Sequence, residues 1–113
     1  MAWFKVDDKL YSHPKWIKLP KGARALWVTA GTWSSAQLTD GHVPASVLRS
    51  LDGTRREAHA LVEAGLWTQN GDGWHFHDWA HYQPSRESVT ARRAKDAERI
   101  RKWRERREQE DAE

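Results

Sequence analysis

The sequence predicts a small α+β domain, and three observations carry that prediction. The first is Thr54-Arg-Arg-Glu57, a capping box ahead of Ala58, Leu61 and Val62 at helical spacing. Gly65 follows where a left-handed residue ends a helix, and Leu66 can pack back on it. The second is a pair of short runs, Leu66 to Gln69 and Trp74 to Trp79, joined by Asn70-Gly71-Asp72-Gly73. Asn-Gly and Asp-Gly accept positive φ at little cost, so this reads as a hairpin. The third is the order of elements upstream: helix, very short strand, helix, tight turn, helix. A three-helix core ending in a hairpin wing is the winged helix-turn-helix arrangement.

Taken in order, Trp3-Phe4-Lys5-Val6 alternates and predicts an edge strand stopped by Asp7 and Asp8. Ser12 precedes His13-Pro14, and proline suits a first helical turn, so a short helix through Trp16 and Ile17 follows, ending at Pro20. Lys9, Lys15, Lys18 and Lys21 read as a solvated face. Ala23, Leu26, Trp27, Ala30 and Trp33 place the main core helix at about residues 22 to 36, with Ala30-Gly31 offering a close-packing surface for another helix. Leu38 closes it, Thr39-Asp40-Gly41 turns, and His42-Val43 makes a bridge-length strand. Pro44 opens a helix to Leu51 with Val47, Leu48 and Leu51 inward, and Asp52-Gly53 breaks it. Tyr82, Gln83 and Pro84 mark a boundary. Residues 1–85 form the winged-helix domain, and 86–113 a basic C-terminal helix or partly disordered tail.

Composition sets the outer bounds. A chain of 113 residues supports one core, and eight tryptophans supply much of its area. With no cysteine there is no disulfide framework and no thiolate metal site. No apolar run approaches a membrane span, and the N-terminus lacks an apolar secretory segment, so a cytoplasmic protein is expected. The net charge of +3 is unevenly placed. Residues 1–85 hold 9 Lys+Arg against 8 Asp+Glu, and 86–107 hold 10 against 4. The last six residues add 4 acids. The positive charge belongs to the tail.

Ser88 is a reasonable N-cap for a tail helix of roughly 20 residues. Its apolar positions, Val89, Ala91, Ala94, Ala97, Ile100 and Trp103, are too sparse to hold it by packing alone. Fraying beyond Trp103 is expected.

Two regions suit nucleic acid. With Ala58, Leu61 and Val62 inward, the helix from Thr54 presents Arg55, Arg56, His59, Ala60 and Glu63 outward. Arginines at a helix N-terminus can meet phosphate or a guanine edge. The tail supplies Arg86, Arg92, Arg93, Lys95, Arg99, Arg101, Lys102 and Arg104, with Arg106 and Arg107 beyond. Such a set releases counterions on binding phosphates. Glu57 and Glu63 dilute the first region, and Glu98 before Lys102 also suits a plain solvated helix. The wing tip carries Asp72 and no cation. His75, His77 and His81 raise a metal site, but the set is poor for zinc, and none is expected. No nucleophile elbow, phosphate-binding glycine loop or carboxylate pair stands out, so neither an enzyme nor a cofactor is expected.

The run WHFHDWAHYQPSRE resembles the end of the N-terminal domain in phage replisome organisers and replication initiators. There a wing strand leads into a pattern of the form hydrophobic-x-N-W-x-x-Y-Q. Phe76, Trp79, Tyr82 and Gln83 match it, and Asp78 stands where asparagine is usual. The opening WFKVDDKLYSHPK, the ARALW helix and VEAGLW look like small winged-helix proteins of actinobacterial phages and prophages. The resemblance spans about residues 3–86. It implies a winged helix that binds double-stranded DNA in replication initiation or transcriptional control, with Thr54 to Glu63 as recognition helix. In replisome organisers a separate C-terminal domain carries the helicase-loader contacts, and this sequence has no length left for one. The rival reading is a protein-interaction module that meets a host or replication protein through its aromatic surface and tail. Homodimerisation through the N-terminal strand or the tail is a further reading.

Overall fold

The computed structural model describes residues 2–112, which fall into two compact units divided between Gln83 and Pro84. The first is α+β, with several helices and a small three-stranded antiparallel sheet. Its helices are α1 (Pro14–Ile17), α2 (Lys21–Gln37), α3 (Arg55–Glu63) and α4 (Trp79–Tyr82). Its strands are β1 (His42–Pro44), β2 (Trp67–Asn70) and β3 (Gly73–Phe76), in the order β1-β3-β2.

Helix α2 is the central beam. It buries Ala23, Leu26, Ala30, Gly31, Ser34 and Ser35, and ends on Leu38 at φ 57°. Ser34 was not legible as a core residue. Its hydroxyl accepts the Gly41 N–H at 2.8 Å and pairs with the Thr39 hydroxyl, which itself donates to the His42 carbonyl at 2.8 Å. These bonds fix the path from α2 into β1. The small notch at Gly31 receives no helix. The Phe4 ring fills it so closely that a Cβ at position 31 would overlap the ring.

The N-terminal edge strand is a first correction, because Trp3 to Val6 joins no sheet. One buried side chain takes the place of a partner strand. Gln83 Oε1 accepts the Lys5 N–H at 2.9 Å, and Gln83 Nε2 donates to the Lys5 carbonyl at 2.6 Å. Asp7 ends the segment by accepting the Lys9 N–H at 2.9 Å, and that bond lowers its pKa. At α1 the capping group is His13, whose Nδ1 accepts the Lys15 N–H at 3.1 Å, with Pro14 as first helical residue.

The second correction concerns the helix expected from Pro44 to Leu51. Pro44 stays extended at ψ 145°, and two 3₁₀ turns follow, Ala45–Val47 and Arg49–Leu51. Residues three apart eclipse in this geometry, which aligns Ala45, Leu48 and Leu51. Leu48 and Leu51 are buried and Val47 is half-buried. Asp52 reverses the chain at φ 57°. Pro44 pairs with Gly73 in the sheet, so the expected first residue of the helix is held extended.

Downstream, α3 carries the full capping box, with the Glu57 N–H donating to the Thr54 hydroxyl at 3.2 Å and the Thr54 N–H to Glu57 Oε1 at 2.9 Å. Gly22 of α2 makes room for the Glu57 carboxylate, which would meet any Cβ there. The C-terminal stop is equally complete: the Leu66 N–H reaches the Leu61 carbonyl and the Gly65 N–H that of Val62, both at 3.0 Å, with Gly65 at φ 81°. In the hairpin, Asn70 pairs with Gly73 across Gly71-Asp72, and only Gly71 takes positive φ. Gly73 serves another purpose, since β1 passes so close that a Cβ would meet the Val43 carbonyl and Pro44. Strand β3 stops at Phe76 rather than Trp79. The left-handed Asp78, at φ 55°, ends it and begins α4.

Replacing Gln83 by Ala should lower stability by about 1–3 kcal/mol, the scale of two lost hydrogen bonds to a partly buried backbone. Urea unfolding followed by tryptophan emission checks this. An unchanged midpoint would mean that water replaces the glutamine without loss.

Candidate nucleic-acid interface

The outward face of α3 assembles as its spacing predicts. Ala58 and Leu61 are buried, Val62 and Ala60 are half-buried, and Arg55, Arg56, His59 and Glu63 are exposed. Within the capping box Thr54 engages the Glu57 amide, which leaves the amides of Arg55 and Arg56 at the first two helical positions to face solvent or an anion. The Arg55 guanidinium lies 5.9 Å from the centroid of the Trp74 ring, a cation–π contact that ties α3 to strand β3 near the hairpin turn. One turn further, His59 Nε2 stands 3.3 Å from Glu63 Oε1.

Two cations read from sequence as ordinary solvated residues belong to the same place. Lys15 and Lys18 line a groove between α1 and α3, together with Leu19, His59 and Glu63. They lie some forty positions from α3 in the chain, and no local spacing could have joined them to it. The hairpin tip adds no charge, since Thr68, Gln69 and Asn70 are exposed and the turn holds Asp72.

The second unit contains α5 (Arg86–Ala112), 27 residues with none buried. Its first turn is capped by Ser85, whose hydroxyl accepts the Ser88 N–H at 3.0 Å, so Ser88 is not the cap. Helix continues past Trp103, where fraying was expected. Ion pairs three and four residues apart support it: Asp96 with Arg99 at 3.4 Å, Glu98 with Lys102 at 3.5 Å, and Glu105 with Arg101 at 2.9 Å. Arg107 lies over the Trp103 ring at 5.2 Å. Of the cations singled out in the tail, Arg99, Arg101 and Lys102 are thus partly compensated. Arg92, Arg93, Lys95 and Arg104, and also Arg106, make no ion pair among the described residues. The structure does not gather the tail cations on one face, for their spacing distributes them around the helix.

The histidines do not converge. His77 lies beyond β3 and pairs with Asp78 at 3.1 Å, and among the described residues no group of three or more His, Cys, Asp or Glu could hold a metal ion. No described helix is long and apolar enough to cross a membrane.

Comparison with family models, curated proteins and solved structures finds no match to this chain.

The capping box positions the first turn of α3 and with it Arg55 and Arg56. Thr54→Ala should therefore cost about 0.5–2 kcal/mol of stability. Thermal unfolding of the variant measures it, and a loss well below this range would mean that Trp74 and Gly22 fix α3 without the hydroxyl.

Proposed function

We propose that the chain is a winged helix-turn-helix protein that binds double-stranded DNA. The observation that carries this reading is the outward face of α3, where Arg55, Arg56 and His59 project beside free helix-terminal amides, with Lys15 and Lys18 on the adjoining groove. In this reading α2, the paired 3₁₀ turns and α3 are the helical core, and β2–β3 is the wing. Helix α3 enters the major groove, and the hairpin approaches the backbone. Arginine from the first turn reads a base edge, while Lys15 and Lys18 meet phosphates that flank the groove. The uncompensated tail cations add sequence-independent phosphate contacts.

The biological setting rests on the resemblance of residues 3–86 to phage replisome organisers and replication initiators, so the role is replication initiation or gene control in a phage or prophage. Asp78 fits that pattern physically, since aspartate and asparagine both tolerate the left-handed conformation this position adopts. The protein neither cleaves nor modifies DNA in this reading.

A second reading has its own support. Residues 1–85 are almost neutral, and Trp3, Tyr11 and Tyr82 are exposed aromatics on that unit. A module that binds a host or replication protein through this surface would need no basic face.

Anisotropy titrations of labelled duplex across a salt series separate the two. If the five uncompensated tail cations each neutralise a phosphate, log affinity should fall against log salt with a slope of about −4 to −5 from the tail alone. Removing residues 86–113 should remove that share of the slope. Absence of binding to both mixed-sequence duplex and an operator-enriched pool would favour the protein-interaction module.

Replacing Arg55 and Arg56 by Ala should leave mixed-sequence binding largely in place but reduce preference for a selected site by about 1–3 kcal/mol per lost base contact. Competition between the selected site and mixed sequence reads this out. Equal loss on both would assign these arginines to phosphate alone.

A further inference from the structure

Helix α5 contains a pattern that phosphate contacts alone do not explain. Arg93, Asp96, Ile100, Trp103, Arg107 and Glu110 recur at alternating steps of three and four residues, which places them on one stripe of the helix. Ile100 and Trp103 are the large apolar residues of this stripe, and they are 47% and 54% exposed. The stripe reads basic, acidic, apolar, apolar, basic, acidic, so that read in reverse each charge is replaced by its opposite. Along its axis the helix is also polarised. Residues 86–107 carry 10 basic and 4 acidic side chains, and the last six residues carry 4 acids. Carboxylates in a last helical turn oppose the helix dipole, so Glu108, Glu110 and Asp111 cost an isolated helix stability.

We infer that this stripe is a pairing surface for α5 of a second copy, with the two helices antiparallel. Antiparallel pairing about a point between Arg101 and Lys102 sets Ile100 against the partner's Trp103, and Trp103 against the partner's Ile100. The flanking layers then match in charge, Asp96 with the partner's Arg107 and Arg93 with the partner's Glu110. The acidic end comes alongside the partner's Arg92, Arg93 and Lys95, which offsets the unfavourable dipole interaction, and the two helix dipoles oppose. A parallel pair fails at the same positions, because Arg93, Asp96, Arg107 and Glu110 would each meet their own kind. One flank limits the affinity: Arg99 approaches the partner's Arg106. With an apolar centre of two residues from each copy, the pair is a weak, concentration-dependent dimer. This inference does not depend on whether DNA binds.

Sedimentation velocity of the full chain, freed of nucleic acid and run over a wide concentration series, tests it. Wild type should pass from monomer to dimer. Asp96→Arg sets like charges against each other at two symmetry-related layers and should raise the dimer Kd by about tenfold or more. Adding Arg107→Asp to that variant should restore dimerisation, because the exchanged charges again meet their opposites only in the antiparallel register. Circular dichroism of each variant verifies that α5 remains helical. If Asp96→Arg unfolds the helix, the second pair decides, with Glu110→Arg weakening the dimer and added Arg93→Glu restoring it. A monomer at every concentration, or a dimer indifferent to the single reversals, overturns the inference, as does failure of the double exchanges to restore pairing.

Discussion

The first unit depends on the packing of rings around Phe76. Its ring lies 5.2 Å from that of Trp79, 5.4 Å from Trp67, 5.9 Å from Phe4 and 6.0 Å from Trp27. Those partners come from α4, β2, the N-terminal segment and α2. One strand residue therefore binds elements that share few backbone hydrogen bonds. Aromatic side chains bury large areas from few positions, which is how a chain with 38% hydrophobic residues closes a core. Trp67 and Trp74, with centroids 6.1 Å apart, extend the cluster along the hairpin to Arg55. The relation of α3 to the hairpin is thus supported by a buried ring and the Arg55 charge that lies over it.

Local chemistry was readable where local atoms decide it. The capping box, the glycine stop after α3 and the bridge-length strand at His42 each follow from a few adjacent residues. What could not be read depended on partners far along the chain. Trp3 to Val6 alternates as a strand does, yet its backbone is satisfied by Gln83, seventy-eight positions from Lys5. Pro44 to Leu51 has helical punctuation, but pairing of Pro44 with Gly73 draws its start into the sheet and leaves room only for 3₁₀ turns. Gly73 looked like a turn residue, and its need comes instead from the backbone of β1. For the outward face of α3, Arg55, Arg56, His59 and Glu63 were found by periodicity, whereas Lys15 and Lys18 on the adjoining groove were not, because nothing local links α1 to α3.

Of the matching residues Phe76, Trp79, Tyr82 and Gln83, all but the exposed Tyr82 acquire a structural explanation from these contacts, as does Asp78, which departs from the pattern. Phe76 and Trp79 are core rings, Asp78 turns the chain in the left-handed region, and Gln83 ties down the N-terminal segment. Each serves the architecture of the unit, so the resemblance they carry speaks to fold more directly than to target. The exposed charges lie elsewhere, on the outward face of α3 and along α5.

The reciprocal bonds between Gln83 and the Lys5 backbone also bring the two boundaries of the first unit side by side. A folded body whose entry and exit points coincide spans no distance in the chain that carries it. It can be spliced into a longer polypeptide, or joined head to tail and reopened elsewhere, without stretching the connections. Such a body is an interchangeable part, fixed by its own internal bonds and indifferent to the length of what it is joined to.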